Sequence, residues 1–157
     1  MEKEKSHNKW FALLLFGLGF VICLLVIGIV VVAVNNKLIL NTCEEVEEYL
    51  AEYADVDKTQ DFVVATDRAL EGATSSDAKY CVYASRFNML YNYSASGNDE
   101  YLEQLVSDAY SMESIKPTVE AAYNIYLSEL VSDNKAEAEK WFDIAKERGL
   151  MKSPGRG

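Results

Sequence analysis

The side chains able to do covalent or acid–base chemistry are few in this sequence and poorly distributed for it. The one histidine, His7, lies ahead of a long apolar run, so the acidic stretch beyond that run has no imidazole. This excludes a Cys-His pair, a histidine-based triad and a typical zinc site from the larger part of the chain. No glycine-rich phosphate loop or calcium loop occurs either. Carboxylates are plentiful, but Glu44, Glu45, Glu47 and Glu48 fit a solvated helix start beside a positive dipole. An acid–base pair would need burial that nothing in their pattern provides. The residues therefore point away from an enzyme, and they imply no cofactor and no metal.

Two other kinds of polar chemistry remain. Of the three cysteines, Cys23 sits inside the apolar run, one turn from Gly19. There a thiol either eases helix packing or idles. Cys43 and Cys81 fall beyond the run, where a disulfide persists if the compartment is oxidising; the sequence leaves open whether they meet. The second is amide chemistry. Ser85, Asn88 and Asn92 form an uncharged strip at helical spacing, and Ala121, Asn124 and Ser128 repeat it 36 residues on. Such strips either line a partner groove, or pack between hairpins or simply face water.

The element that must position everything else is the run from Trp10 to Val34, which carries no charge. Its twenty-five residues rise about 1.5 Å each and so span about 37 Å, against a hydrocarbon core of about 30 Å. Only a helix satisfies its own backbone in lipid, so a transmembrane helix is predicted over 10–34. A cleaved signal peptide fits poorly: its apolar core would be shorter, and Val32-Ala33-Val34-Asn35-Asn36 lacks a small-residue cleavage pattern. Lys3, Lys5 and Lys9 precede the run and only Lys37 follows before the acidic residues. The expected topology is a single pass in the cell (inner) membrane, with 1–9 cytoplasmic and the C-terminal domain outside. Beyond the run, twelve basic residues face twenty-three acidic ones. Such a surplus repels phosphate backbones, so no nucleic-acid partner is expected.

After a linker at 35–41, the chain reads as all helical over 42–149, with a disordered tail at 150–157. Thr42-Cys43-Glu44-Glu45 has capping-box spacing, with Val46, Tyr49, Leu50 and Tyr53 behind it on one face. Asp55 to Lys58 turns the chain. A second helix spans about Thr59 to Glu71 and stops at Gly72. Ser75-Ser76-Asp77 opens a third, whose face reads Tyr80, Tyr83, Ala84, Phe87, Leu90, Tyr91. Asn98 or Asp99 caps a fourth, with Leu102, Leu105, Val106 and Ala109 inward. Pro117 enters the first turn of a fifth, with Val119, Ala122, Tyr123, Tyr126, Leu127 and Leu130 inward. The sixth carries Ala138, Trp141, Phe142 and Ala145, and Gly149 ends it. Tyr93 and Tyr110 fall off these faces, where an exposed aromatic can anchor a partner. Arg86 and Lys79 fall at exposed positions able to meet a carboxylate.

The last two helix pairs superpose at a constant offset of 36: Phe87 onto Tyr123, Leu90 onto Tyr126, Val106 onto Phe142, Ala109 onto Ala145. The first pair fits at an offset of 40, with Leu50 onto Leu90 and Ala69 onto Ala109. Three helical hairpins of one kind are therefore expected, each burying its apolar face against its neighbour. Ala138, Phe142 and Ala145, together with Pro117 eight residues after Ala109, resemble the second helix and terminal proline of tetratricopeptide (TPR) or Sel1-like repeats. The first helix of the last pair departs from the family's Gly-x-x-Tyr, carrying Tyr126 and Glu129 instead. The resemblance implies a stack of hairpins whose concave face holds a protein or peptide, with Ser85, Asn88, Asn92, Asn124, Ser128 and Tyr93 as the partner-binding residues. It is similar in layout to bacterial inner-membrane proteins with one N-terminal anchor, some of them accessory to secretion or envelope assembly. The alternative is a structural or pilin-like subunit of a surface assembly. Gly19-Phe20 ahead of an apolar helix resembles a pilin processing site, but Leu24 stands where a glutamate belongs.

Overall fold

The computed structural model describes residues 38–54 and 58–150, all within one compact unit that begins at Leu38. The apolar run 10–34, its flanks 1–9 and 35–37, the turn residues 55–57 and the tail 151–157 lie outside the described residues. Among the described residues no helix is long and apolar enough to cross a membrane.

Six helices follow one another among the described residues: α1 (Cys43–Ala51), α2 (Thr59–Gly72), α3 (Ser76–Ala95), α4 (Leu102–Ile115), α5 (Val119–Val131) and α6 (Lys135–Glu147). The fold is all-α. Three starts are fixed by hydroxyl caps that satisfy orphan backbone donors. Thr42 Oγ1 accepts from the Glu45 amide at 3.2 Å while Glu45 returns a carboxylate to the Thr42 amide, closing the capping box. Ser75 caps α3 at 2.9 Å and Thr118 caps α5 at 3.1 Å. Pro117 thus stands one residue ahead of the cap rather than inside the helix. The fourth helix also differs from expectation. It starts three residues after Asp99, behind Tyr101 and with no side-chain cap, while Asn98 turns back to the Tyr93 carbonyl.

The helices pack in succession. Helix α3 lies against α1 and α2 on one side and α4 on the other, α4 lies against α5, and α5 against α6; α3 also touches α5. Two apolar clusters result. One joins Leu40, Val46, Leu50, Phe62, Ala65, Ala69, Ala78 and Val82, and the other joins Phe87, Leu90, Leu105, Ala109, Met112, Ala121 and Ile125. The 36-residue offset recurs in backbone geometry: Gly97 (φ 90°) and Asp133 (φ 59°) take the left-handed conformation at the two hairpin turns. Ala109 and Ala145, also one offset apart, are both fully buried.

Residues 38–41 are not a free linker. Leu40 is buried and forms a parallel bridge to Ala73, with its amide on the Gly72 carbonyl at 3.0 Å and its carbonyl taking the Thr74 amide at 2.9 Å. Ser75 Oγ donates to the Asn41 carbonyl at 2.6 Å. This strap explains Gly72 better than a helix stop does. Gly72 is the last residue of α2, and a Cβ on it would sit 2.7 Å from the Leu38 carbonyl oxygen. Gly72→Ala is therefore expected to lower stability by about 1–3 kcal/mol through overpacking, less the small helix-propensity gain. It should also speed amide exchange at Leu40 and Thr74, which a simple loss of a helix stop would not do. Cys43, at the start of α1, is disulfide-bonded to Cys81 of α3, with Cα atoms 5.5 Å apart.

Helix α5 is rotated from its expected facing. Its buried side is Ala121, Ala122, Asn124, Ile125, Ser128 and Glu129, whereas Leu130 is exposed. The sequence is apolar nearly all round, so periodicity alone does not choose a face. Small residues choose it: Ala121, Ala122 and Ser128 let neighbouring helices approach, and the bulky Tyr123 and Tyr126 are left half-buried.

Candidate functional site

The partner strip expected from the sequence divides. On α3, Asn88 and Asn92 are exposed and Ser85 is half-buried. On α5, Asn124 and Ser128 are buried at 9% and 0% exposure and face neighbouring helices. Ser128 Oγ donates to the Ile125 carbonyl at 2.9 Å, and the Asn124 amide points at Met112 Sδ, 3.8 Å away. A buried polar group must find a partner inside the protein, and these two have done so locally. The α5 strip is thus packing, and the open amide surface is confined to α3.

Tyr93, at the end of α3, is half-buried and forms an edge contact with Tyr101, ring centroids 5.7 Å apart. The two rings help line a cleft of about 640 Å³ that also takes in Lys58, Gln60, Asp61 and Asn98. The cleft lies between the start of α2 and the α3–α4 turn. Its mixed amide, acid and aromatic lining provides hydrogen bonding and stacking, and it adjoins the helix that carries Asn92.

Two buried networks hold these helices in place. Arg86 is 2% exposed and Asp108 0%. The Arg86 Nε and Nη2 donate to the two Asp108 oxygens, both at 2.7 Å, while Nη1 reaches Asp67 at 2.6 Å. Gln104 adds a bond to Asp108 at 2.9 Å. One guanidinium therefore ties α2, α3 and α4 together. Burial opposes both charges. For Arg86 the Asp108 bonds more than offset it, and its pKa lies above the usual value; for Asp108 burial outweighs Arg86 and Gln104, and the carboxyl titrates above its usual range. The expectation that Arg86 is exposed fails. The signal was there: Arg86 continues the stripe Ala78, Val82, Leu90 at intervals of four, and Asp108 sits between Leu105 and Met112 in the same way.

The second network surrounds Tyr110. Its hydroxyl donates to Glu129 Oε1 at 3.0 Å and accepts from Trp141 Nε1 at 3.1 Å, with the two rings edge to face. Glu129, itself buried, also takes the Asn134 amide at 2.8 Å, and Trp141 reaches Glu137 at 2.9 Å. Tyr110 is therefore a joint between α4, α5 and α6 rather than an exposed anchor. Burial first, then the bond to Glu129, pushes its phenol up to about 12 against the opposing Trp141 N–H. In an ultraviolet titration one tyrosine is expected to ionise near pH 12 rather than near 10, and Tyr110→Phe should remove that late step. The folded pKa lies above the unfolded one, so below pH 10 both states keep the proton and stability is unaffected. Between about pH 10 and 12 only the unfolded chain loses it, so stability should fall as pH rises through that window.

At the far end of the domain, Arg148 forms a fork on Glu113 at 2.6 and 2.7 Å and donates to the Thr118 carbonyl at 3.0 Å, fastening the end of α6 to the α4–α5 junction. Beside it, Tyr123, Tyr126 and Phe142 form a run of touching rings, with centroids 5.4 and 4.9 Å apart and Lys146 Nζ 4.7 Å from the Phe142 ring. Among the described residues no group of three or more His, Cys, Asp or Glu is arranged to hold a metal ion. Compared with protein-family models, curated proteins and solved structures, the chain matches none.

Proposed function

We propose that this chain is a single-pass, N-in membrane protein whose helical domain is displayed outside the cytoplasm to hold a protein or peptide partner, as TPR-like hairpin stacks do. The charge-free run 10–34 and the lysines ahead of it support the anchor. The hairpin reading is supported by the order of packing, in which α3 and α5 each lie against the helix before and the helix after. It gains further support from the 36-residue recurrence of left-handed turns and buried alanines.

The observation that carries the reading is the α3 surface. Asn88 and Asn92 are exposed and uncharged, and Asn92 directly precedes Tyr93 of the cleft, in a domain whose charge is predominantly acidic. Amides of this kind grip a peptide backbone without regard to its side chains, while the aromatics of the cleft supply a hydrophobic anchor. A photo-crosslinking side chain placed at position 88 or 92 in the membrane-borne protein is expected to give a discrete adduct, and one at position 47 on the acidic helix none. Asn92→Ala in the chain that carries the crosslinker at position 88 should weaken that adduct about tenfold, roughly 1.4 kcal/mol, with no change in melting temperature. Absence of an adduct, or equal adducts from all three positions, would remove the partner reading. Protease added to intact cells should release the C-terminal domain; its protection would remove the topology.

A further inference from the structure

The end of the stack carries a second surface, on different residues from the α3 strip and standing or falling independently of it. The internal repeat supplies the comparison. Phe87, Leu90 and Ser94 of α3 are 1%, 0% and 5% exposed. Phe87 and Leu90 share one apolar cluster with Leu105, Ala109 and Met112 of α4 and with Ala121 and Ile125 of α5. One offset of 36 on, the matching residues are Tyr123, Tyr126 and Leu130. Tyr123 and Tyr126 are half-buried and Leu130 is 43% exposed. Phe142, matching Val106, extends the same face from α6. The last hairpin therefore presents the face that its predecessor buries, with nothing after α6 among the described residues to cover it.

The repeat also says what fits there. From the following hairpin, the residues that join that cluster are a small one and a branched aliphatic one turn apart, Ala121 and Ile125, on a helix that is apolar nearly all round. A small residue lets the backbone come close to the rings, and an aliphatic fills the space between them. The opposite end of the domain is not such a helix: α1 begins with exposed Glu44, Glu45, Glu47 and Glu48, so a second copy stacked head to tail would set carboxylates against aromatic rings. We propose that the α5–α6 end face is a docking site for a helix of a partner protein, carrying a small residue and a β-branched aliphatic at positions i and i+4. The partner helix continues the α3–α5 interface by one more unit.

The test uses the full chain in detergent micelles and a labelled peptide of sequence 117–133. A lactam bridge between positions 119 and 123, on the side away from Ala121 and Ile125, offsets the low helicity of a short peptide. Saturable binding by fluorescence anisotropy is expected. Leu130→Asp in the chain should weaken it at least about tenfold, and Tyr126→Asp likewise, with far-UV circular dichroism and melting temperature unchanged. A peptide carrying glutamate at both 121 and 125 should not bind. Three results overturn the proposal: no saturable binding up to about 1 mM, binding that survives Leu130→Asp and so reflects exchange with the chain's own α5, or a dimer in sedimentation that Leu130→Asp dissolves. The last would assign the face to a second copy. Because Leu130 is already exposed, its replacement leaves the core intact, and loss of fold in Tyr126→Asp would not confuse the outcome.

Discussion

Asp108→Ala is expected to destabilise the domain by about 3–5 kcal/mol, the cost of leaving one member of a buried ion pair without its partner. Arg86 would keep a long contact to Thr66 at 3.5 Å and the bond to Asp67, whose side chain is 64% exposed and so gives a weaker, solvated contact. Three helices meet at this guanidinium, so the loss should appear as a lower midpoint in urea and as faster amide exchange in α2, α3 and α4 together. The pair itself need not be stabilising. Burial raises the Asp108 carboxyl against the pull of Arg86, which marks desolvation as the larger effect on that side. Arg86→Met with Asp108→Leu should therefore recover most of the stability lost in the single variant. If the double variant is as unstable as Asp108→Ala, the pair contributes through geometry that apolar side chains cannot replace.

The second large effect belongs to the disulfide. Cys43 and Cys81 are 38 residues apart, and closing a loop of that length removes about 4 kcal/mol of chain entropy from the unfolded state. Cys43→Ser with Cys81→Ser is expected to lower stability by roughly that amount, and reductant should do the same to the native protein while leaving the double variant unaffected. This stabilisation exists only where thiols stay oxidised. A small domain holding both a buried ion pair and a buried carboxylate at Glu129 has little to spare, since domains of this size are stable by only about 5–15 kcal/mol.

Element type was legible in the sequence from apolar periodicity and, at three helix starts, from capping chemistry: Thr42, Ser75 and Thr118 are hydroxyls ahead of periodic segments. Facing was less legible, and α5 shows why. VEAAYNIYLSELV has apolar residues around its whole circumference, so burial was decided by the size of side chains that had to pass close to α4 and α6. Expecting the large residues inside put Leu130 on the wrong side, while Tyr123 and Tyr126 are only half-buried. The amide strip was half visible for the same reason, because at equivalent positions the small polar residues of α5 pack against neighbouring helices while those of α3 stay open. Arg86 and Asp108 were hidden by composition rather than by pattern. Each charge looks like surface until both stripes are drawn and found to end on opposite signs. The strap at Leu38–Asn41 left no local signal at all, because its partner lies more than thirty residues away at Gly72 and Thr74.

The bond between Cys43 and Cys81 also changes how the chain carries tension. Force entering ahead of Leu38 and leaving beyond α6 crosses the sulfur bridge directly into α3, so α1 and α2 form a ring off the stressed path. That ring conceals about 130 Å of extensible backbone, 38 residues at about 3.5 Å each. Pulled between its ends in optical tweezers, the oxidised chain should unravel to a contour about 13 nm shorter than the reduced one, by the same per-residue reach. With the proposed membrane anchor holding one end, the chain would then have two rope lengths, chosen by the redox state of a single pair of sulfurs.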